Sequence, residues 1–218
     1  MPKTELLILD CDGVLIDSEI IACQAEARAL SKIGFAINAA TVAQRYSGQT
    51  SAIMYATIEK EIGHPLPPGL PERVMQDILA AYRTDLMPID GAAEFLSALE
   101  IPKCVASSSS PSKLALGLVE THLFDLLYPH IFSAHLVPRG KPFPDIFNYA
   151  ADQMGFDKST CLIVEDSAAG VQAAKAAGIR CIGFTGGSHC PPEHDDVLLE
   201  AGAEAVVSEL NQVYAYLR

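Results

Sequence analysis

The chain opens with a continuous apolar run, Leu6 to Leu9, which ends on two aspartates one residue apart and then a glycine, in the stretch "LLILDCDGVLID". A short apolar run bounded by a glycine predicts a buried strand. Asp10 and Asp12 would then place two mutually repelling carboxylates at its mouth. The pattern changes after Ser18, which can cap a long alanine-rich helix, "EIIACQAEARALSKIG", ending at Gly34. "AATVAQRYSG", "SAIMYATIEKEIG" and "PERVMQDILAAYR" each follow a helical period, interrupted by "HPLPPGLP". This stretch carries no strand pattern.

From "MPIDG", Met87 to Gly91, the pattern alternates. A helix "AAEFLSALE" is followed by the strand "KCVASS", a helix opened by Pro111, the strand "HIFSA", and a helix after "GKPFPD". The strand "CLIVED", the helix "SAAGVQAAKAAG" and the strand "RCIGFTGG" complete the series. Strands and helices of these lengths predict an α/β fold, with a Rossmann-like, mostly parallel sheet covered on both faces. The all-helical stretch is an insertion into that sheet. The expected division is a core of residues 1–17 and 88–218 and a helical cap domain of residues 18–87, hinged near Asp17 and near Pro88 to Gly91.

Composition narrows the picture. With 218 residues, half of them hydrophobic, the chain can bury a full core. A formal charge of -12 argues against a general field that holds nucleic acid or an anionic membrane. The six cysteines form no CxxC pair, and three fall in expected core strands, as small buried hydrophobes do in a reducing compartment. No apolar run approaches the roughly 18 residues of a membrane span, and "MPKTE" leaves no room for a secretory leader. A cytoplasmic protein, monomeric or weakly dimeric, is expected.

In an open α/β sheet the ligand site lies beyond the carboxyl ends of the strands. Asp10 and Asp12, Ser107, and Glu165 with Asp166 stand at those ends, and Lys141 enters from a loop before a helix. Each has a structural reading on its own. Asp12-Gly13 is a turn dipeptide, Ser110-Pro111 a helix start, "EDS" acidic capping of a helix, and Lys141 a solvated loop charge. In order, at successive strand ends, they read better as one reaction centre.

"DCDGVL" from Asp10, "VASSS" ending at Ser109, "GKPFPDIF" from Gly140 and "VEDSAAG" from Val164 resemble the motifs of the haloacid dehalogenase superfamily, in its phosphatase and phosphomutase branch with a helical cap. The resemblance implies a Mg²⁺-dependent phosphatase acting on a small phosphorylated metabolite, a sugar phosphate or sugar-acid phosphate. It implies Asp10 as nucleophile and Asp12 as acid and base. Asp10, Asp12 and Asp166 would hold the metal, with Glu165 a direct or water-mediated neighbour. Lys141 would neutralise Asp10 and a phosphoryl oxygen, and Ser107 with Ser108 would hold the phosphate. A carboxylate is a competent nucleophile toward phosphorus, and metal with lysine would relieve the charge clash at "DCD".

In the insertion, the family's glycine-containing specificity loop corresponds to "RYSGQT", which makes Arg45, Gln49 and Thr50 substrate candidates, with Arg83 near the hinge. Where beta-phosphoglucomutase has a cap histidine and a cap arginine, this chain has Ala22 and Ser51. Hydrolysis is therefore favoured over the alternative, a phosphomutase of that type. Asp12 argues against the dehalogenase branch, and Lys32, far along its helix, against a Schiff-base hydrolase. A non-catalytic phosphate sensor would have lost one of Asp10, Asp12 or Lys141. "TGGSHCPPEHDD", with His189, Cys190 and His194, matches no common zinc spacing or P-loop and is expected to form a surface loop.

Overall fold

The computed structural model describes residues 3–46 and 51–217. Its centre is a wholly parallel sheet of β1 (Leu6–Leu9), β2 (Lys103–Ser107), β3 (Ile131–Ser133), β4 (Cys161–Glu165), β5 (Arg180–Phe184) and β6 (Ala205–Val207). The strands lie in the order β3-β2-β1-β4-β5-β6. Five of them follow the sequence pattern. The edge strand β6 is the one the pattern does not mark.

Burial explains why β1 reads as an unbroken apolar run. Leu7 and Leu9 enter one hydrophobic cluster, with Val105, Leu162 and Ile182 of neighbouring strands. Leu6 and Ile8 enter the other, with Cys104, Cys161 and Cys181. Side chains alternate across a strand, so a sheet covered on both faces requires apolar residues at every position. The cysteines serve here as small core residues, and all six are unpaired.

Four helices follow β1 before the chain returns to the sheet: α1 (Glu19–Lys32), α2 (Ala39–Tyr46), α3 (Ser51–Ile62) and α4 (Leu70–Asp85). Leu30, Ile58, Val74, Ile78 and Tyr82 are buried among them. The outgoing and returning segments run side by side. The Asp17 amide donates to the Met87 carbonyl at 2.9 Å, and the Ile89 amide to the Leu15 carbonyl at 2.9 Å. The insertion thus leaves and rejoins the sheet at one place, directly beyond β1.

The remaining helices are α5 (Ala92–Ala98), α6 (Pro111–Glu120), α7 (Phe124–Leu127), α8 (Asp145–Met154), α9 (Ala168–Ala177) and α10 (His194–Ala201). Two begin at the carboxyl ends of strands with a serine cap. Ser110 accepts from the Lys113 amide and Ser167 from the Gly170 amide. Ser18 departs from expectation. It stands before α1 without making a capping hydrogen bond, because its hydroxyl is used elsewhere.

Candidate active site

The strand order reverses direction between β1 and β4, the crevice where open α/β sheets bind ligands. Asp10 is the first residue beyond β1, with β2 on one side and β4 on the other. Lys141 reaches into this crevice. Its Nζ donates to Asp10 Oδ1 at 2.6 Å, to Glu165 Oε1 at 2.5 Å and to the Ala106 carbonyl at 3.0 Å. Three acceptors use the three ammonium protons. Burial alone would lower the lysine's pKa, but Asp10 and Glu165 hold it above its ordinary value. Glu165 Oε2 accepts in turn from the amide and hydroxyl of Ser167. Helix α9 approaches this closely because Gly170 faces the carboxylate, where a Cβ would lie 1.9 Å from Glu165 Cδ.

Oxygens of Asp10, Glu165 and Asp166 lie within 4.8 Å of one another, and all three residues are buried. Burial raises the Asp10 pKa well above the carboxylate range; Lys141 opposes the rise, and the charges of Glu165, Asp166 and Asp12 add to it. Asp166 is pushed up to about 6, mainly by burial, against hydrogen bonding from His189. Buried hard oxygens that resist ionising together suit Mg²⁺. Both oxygens of Glu165 are already engaged by Lys141 and Ser167. Among the described residues, Asp10 Oδ2 and Asp166 Oδ1 have no hydrogen-bond donor.

Asp12 is held by a separate set of donors. Its Oδ1 accepts from Ser18 Oγ at 2.6 Å, Lys113 Nζ at 3.0 Å and the Tyr82 hydroxyl at 3.3 Å. Its Oδ2 accepts from Ser109 Oγ at 2.6 Å and Ser107 Oγ at 3.3 Å. Burial would raise this carboxyl's pKa, but the Lys113 ammonium and the bonds from Ser109 and Ser18 hold it well below the usual range. Ser18 and Tyr82 come from the helical insertion, and the other three donors from the sheet side. Asp12 is where the two parts of the molecule meet.

Sequence reasoning missed Lys113, Ser18 and Tyr82 in this role. One signal was present: Lys113 lies in the first turn of α6, where a positive charge opposes the helix dipole. Ser107, expected to hold phosphate, turns its hydroxyl to Asp12 and accepts from the Ser109 amide at 3.0 Å. Ser108, expected to hold phosphate with it, is exposed.

The segment after β5 is a loop with Gly186, Ser188, Pro191, Pro192 and Glu193 exposed, as expected, but two of its histidines turn inward. His189 and His194 are buried. His189 Nε2 lies 3.1 Å from Asp166 Oδ2, and His194 Nε2 is 2.5 Å from the Asp166 carbonyl oxygen. Burial would lower the His189 pKa, but Asp166 and Cys190 lift it to about 11. The Ser188 amide donates to Asp17 Oδ1, tying the segment to the start of the insertion. Gly13 makes the packing possible. At φ +79° its absent Cβ would lie 1.9 Å from Asp166 Oδ2 and 2.9 Å from the His189 ring. Turn-forming composition gave no sign that His189 would turn inward, into space left by the glycine across from it.

The candidates in the insertion fare differently. Arg45 pairs with Glu61 and lies 5.0 Å from the centre of the Tyr46 ring. Gln49 and Thr50 lie outside the described residues. Arg83 is exposed. Glu19, which the sequence did not single out, stands close enough to Asp12, Lys113 and His189 for their charges to act on its carboxyl.

A family model described as a haloacid dehalogenase-like hydrolase matches residues 4–178. The chain is 28% identical over 193 residues to the 6-phosphogluconate phosphatase of Escherichia coli (strain K12), covering 88% of this chain and 87% of that protein. A crystal structure of a conserved haloacid dehalogenase-like protein of unknown function from Agrobacterium tumefaciens str. C58 superposes with a TM-score of 0.91 at 40% identity, over 98% of this chain and 97% of that one. A second, a hydrolase from Deinococcus radiodurans R1 with bound phosphate and sodium, superposes with a TM-score of 0.83 at 30% identity, over 99% and 95%.

Proposed function

Because the chain belongs to the haloacid dehalogenase-like hydrolases, we propose that it is a Mg²⁺-dependent phosphatase of a phosphorylated sugar or sugar derivative, working through an aspartyl phosphate on Asp10. The observation that carries the reading is the pairing at the strand mouth. Asp10 has one oxygen fixed by Lys141 and the other without a donor, beside a second carboxylate, Asp12, with its own lysine. The phosphatase relative in Escherichia coli and the phosphate bound in the Deinococcus structure support the same reaction class.

Each residue has a task that its surroundings suit. Lys141 orients Asp10 and offsets the charge of an incoming phosphoryl group, so that the free oxygen can attack phosphorus. Glu165 keeps Lys141 in place. Asp10, Asp166 and the backbone carbonyl of Asp12 would hold the metal, with Glu165 beside it. Bound Mg²⁺ would neutralise the phosphoryl oxygens and polarise the phosphorus.

Asp12 would protonate the leaving oxygen and then take a proton from the attacking water. Lys113, Ser18 and Ser109 favour its anion, the form needed for the second step. The arrival of a phosphate dianion beside it favours the protonated form needed for the first. Ser107, with the backbone that follows it toward α6, would bind a phosphoryl oxygen. Residues 18–87 would act as a lid over the core of 1–17 and 88–218, its closure reported to Asp12 through Ser18 and Tyr82.

The test is phosphate release from a broad panel of phosphate monoesters, with Mg²⁺ and with EDTA, using wild type and Asp10→Asn in parallel. Release that requires the metal and disappears in the variant is expected. Release that survives in Asp10→Asn would contradict the reading.

A further inference from the structure

The two buried histidines after β5 converge on a single residue. His189 Nε2 stands 3.1 Å from Asp166 Oδ2, and His194 Nε2 stands 2.5 Å from the Asp166 carbonyl oxygen. One contact restrains the side chain and the other the backbone. His194 is the first residue of α10, so a helix sets its position, and the two rings lie 6.2 Å apart, centre to centre. Asp166 also belongs to the group of buried carboxylates, with Asp10 and Glu165, whose oxygens lie within 4.8 Å of one another.

The His189 ring is itself held. A Cβ on Gly13 would lie 2.9 Å from its Cε1, and one on Gly187 would lie 2.8 Å from both Cε1 and Nδ1, so the ring packs between two glycine backbones. The segment that carries it is closed by the Cys190 amide, which donates to the Gly187 carbonyl at 3.1 Å. It is anchored by the Ser188 amide, which donates to Asp17 Oδ1 at 3.1 Å. A ring gripped on both sides can fix the group it touches, as a solvated side chain cannot.

We propose that His189 is a positioning residue for the metal site: it keeps Oδ2 of Asp166 turned to itself, so that Oδ1 is the oxygen offered to the metal beside Asp10. The proposal rests on the phosphatase reading and adds to it a residue that keeps the site in shape. An unrestrained carboxylate rotates and meets a cation with either oxygen. One already held gives up that freedom before the cation arrives, and binding is tighter for it. Partners that orient a ligating side chain are worth about 10- to 100-fold in metal affinity or activity. A histidine that only offset the charge of Asp166 would do the opposite, because its removal would leave the carboxylate freer to bind a cation.

The experiment titrates wild type, His189→Leu and His189→Gln with Mn²⁺, which suits the same oxygen ligands as Mg²⁺, and follows binding by electron paramagnetic resonance, a readout independent of turnover. Leu fills the space without an N–H, while Gln keeps one near the place of Nε2. His189→Leu should weaken binding by about 10- to 100-fold, and His189→Gln should recover most of the loss. With p-nitrophenyl phosphate, the Mg²⁺ concentration for half-maximal rate should rise by a similar factor in His189→Leu. The KM for the ester at saturating Mg²⁺ should stay near that of wild type, a split that a merely structural defect would not produce. Should His189→Leu fail to fold, by circular dichroism, His189→Asn takes its place, since its shorter amide stops near the position of Nδ1. Binding as tight as in wild type or tighter in His189→Leu, or equal weakening in both variants, would overturn the proposal. Absence of Mn²⁺ binding by wild type would overturn the metal site of the phosphatase reading, and the proposal with it.

Discussion

The carboxyl end of the sheet and the helical insertion carry buried acids in opposite ways. At the sheet end the charges are matched. Lys141 serves Asp10 and Glu165, Lys113 serves Asp12, and hydroxyls from Ser18 and Ser109 fill other acceptor sites of Asp12. In the insertion, Glu26 is buried against the hydroxyls of Tyr55 and Ser51, and the buried Tyr46 hydroxyl has no partner among the described residues. A charge with a fixed partner is in position before the substrate arrives, as phosphoryl transfer requires. On the proposed reading, the chemistry belongs to the matched charges at the strand ends, and the helices would cover them.

The contrast breaks most visibly at Asp10. Asp10→Asn preserves shape and removes the proposed nucleophile, so phosphate release should fall by about 10⁴-fold or more. The fold should persist, because burial already disfavours the charge at this position; circular dichroism and the melting temperature check this. Asp12→Asn should cost about 10²- to 10⁴-fold. Its loss should be smaller with p-nitrophenyl phosphate, whose leaving group departs without a proton, than with an alkyl phosphate. Equal losses on the two substrates would show that Asp12 positions groups without transferring protons.

Gly13→Ala sharpens the comparison by disturbing the matched end without removing a charge. A Cβ there meets Asp166 Oδ2 at 1.9 Å. Displacing that carboxylate should lower kcat/KM by about 10²-fold, the scale of a misplacement of about 1 Å. A crystal structure of the variant would show whether Asp166 or the His189 segment gives way.

The smallest effect belongs to the insertion. Burial lifts the Glu26 carboxyl above its ordinary range, against the lowering by Tyr55 and Ser51. Its contribution to stability is full below the ordinary carboxylate pKa and is lost as pH rises through the raised folded value. Glu26→Gln removes that loss. Its melting temperature should exceed that of wild type at pH 7, by up to about 4 °C, what about 1 kcal/mol is worth at this size. The difference should shrink toward pH 4. A melting temperature below wild type at pH 7 would mean that the charged form of Glu26 stabilises the insertion.

The matched end was largely legible in the sequence. Asp10, Asp12, Ser107, Glu165 and Asp166 follow or end apolar strands, and a parallel sheet aligns strand ends whatever the loops do. Lys141 was legible through its motif. The partners of Asp12 were not. Tyr82 lies 70 residues from Asp12 and Lys113 lies 101, and only the return of the insertion to its starting point brings Tyr82 near. Ser18 read as a helix cap because the same residue type serves both purposes. His189 and His194 read as a loop because turn formers surround them, while His189 occupies space left at Gly13 and His194 meets the Asp166 carbonyl.

The most direct test of the account is to capture the covalent step. Asp12→Asn, impaired in activating water, would be mixed with p-nitrophenyl phosphate and Mg²⁺, quenched in acid, and mapped by peptide mass spectrometry. The account predicts a phosphoryl group on the peptide holding Asp10, absent with EDTA and absent when Asp10→Asn is added. Release of p-nitrophenol with no phosphorylated peptide, or a phosphoryl group on any residue other than Asp10, would contradict it.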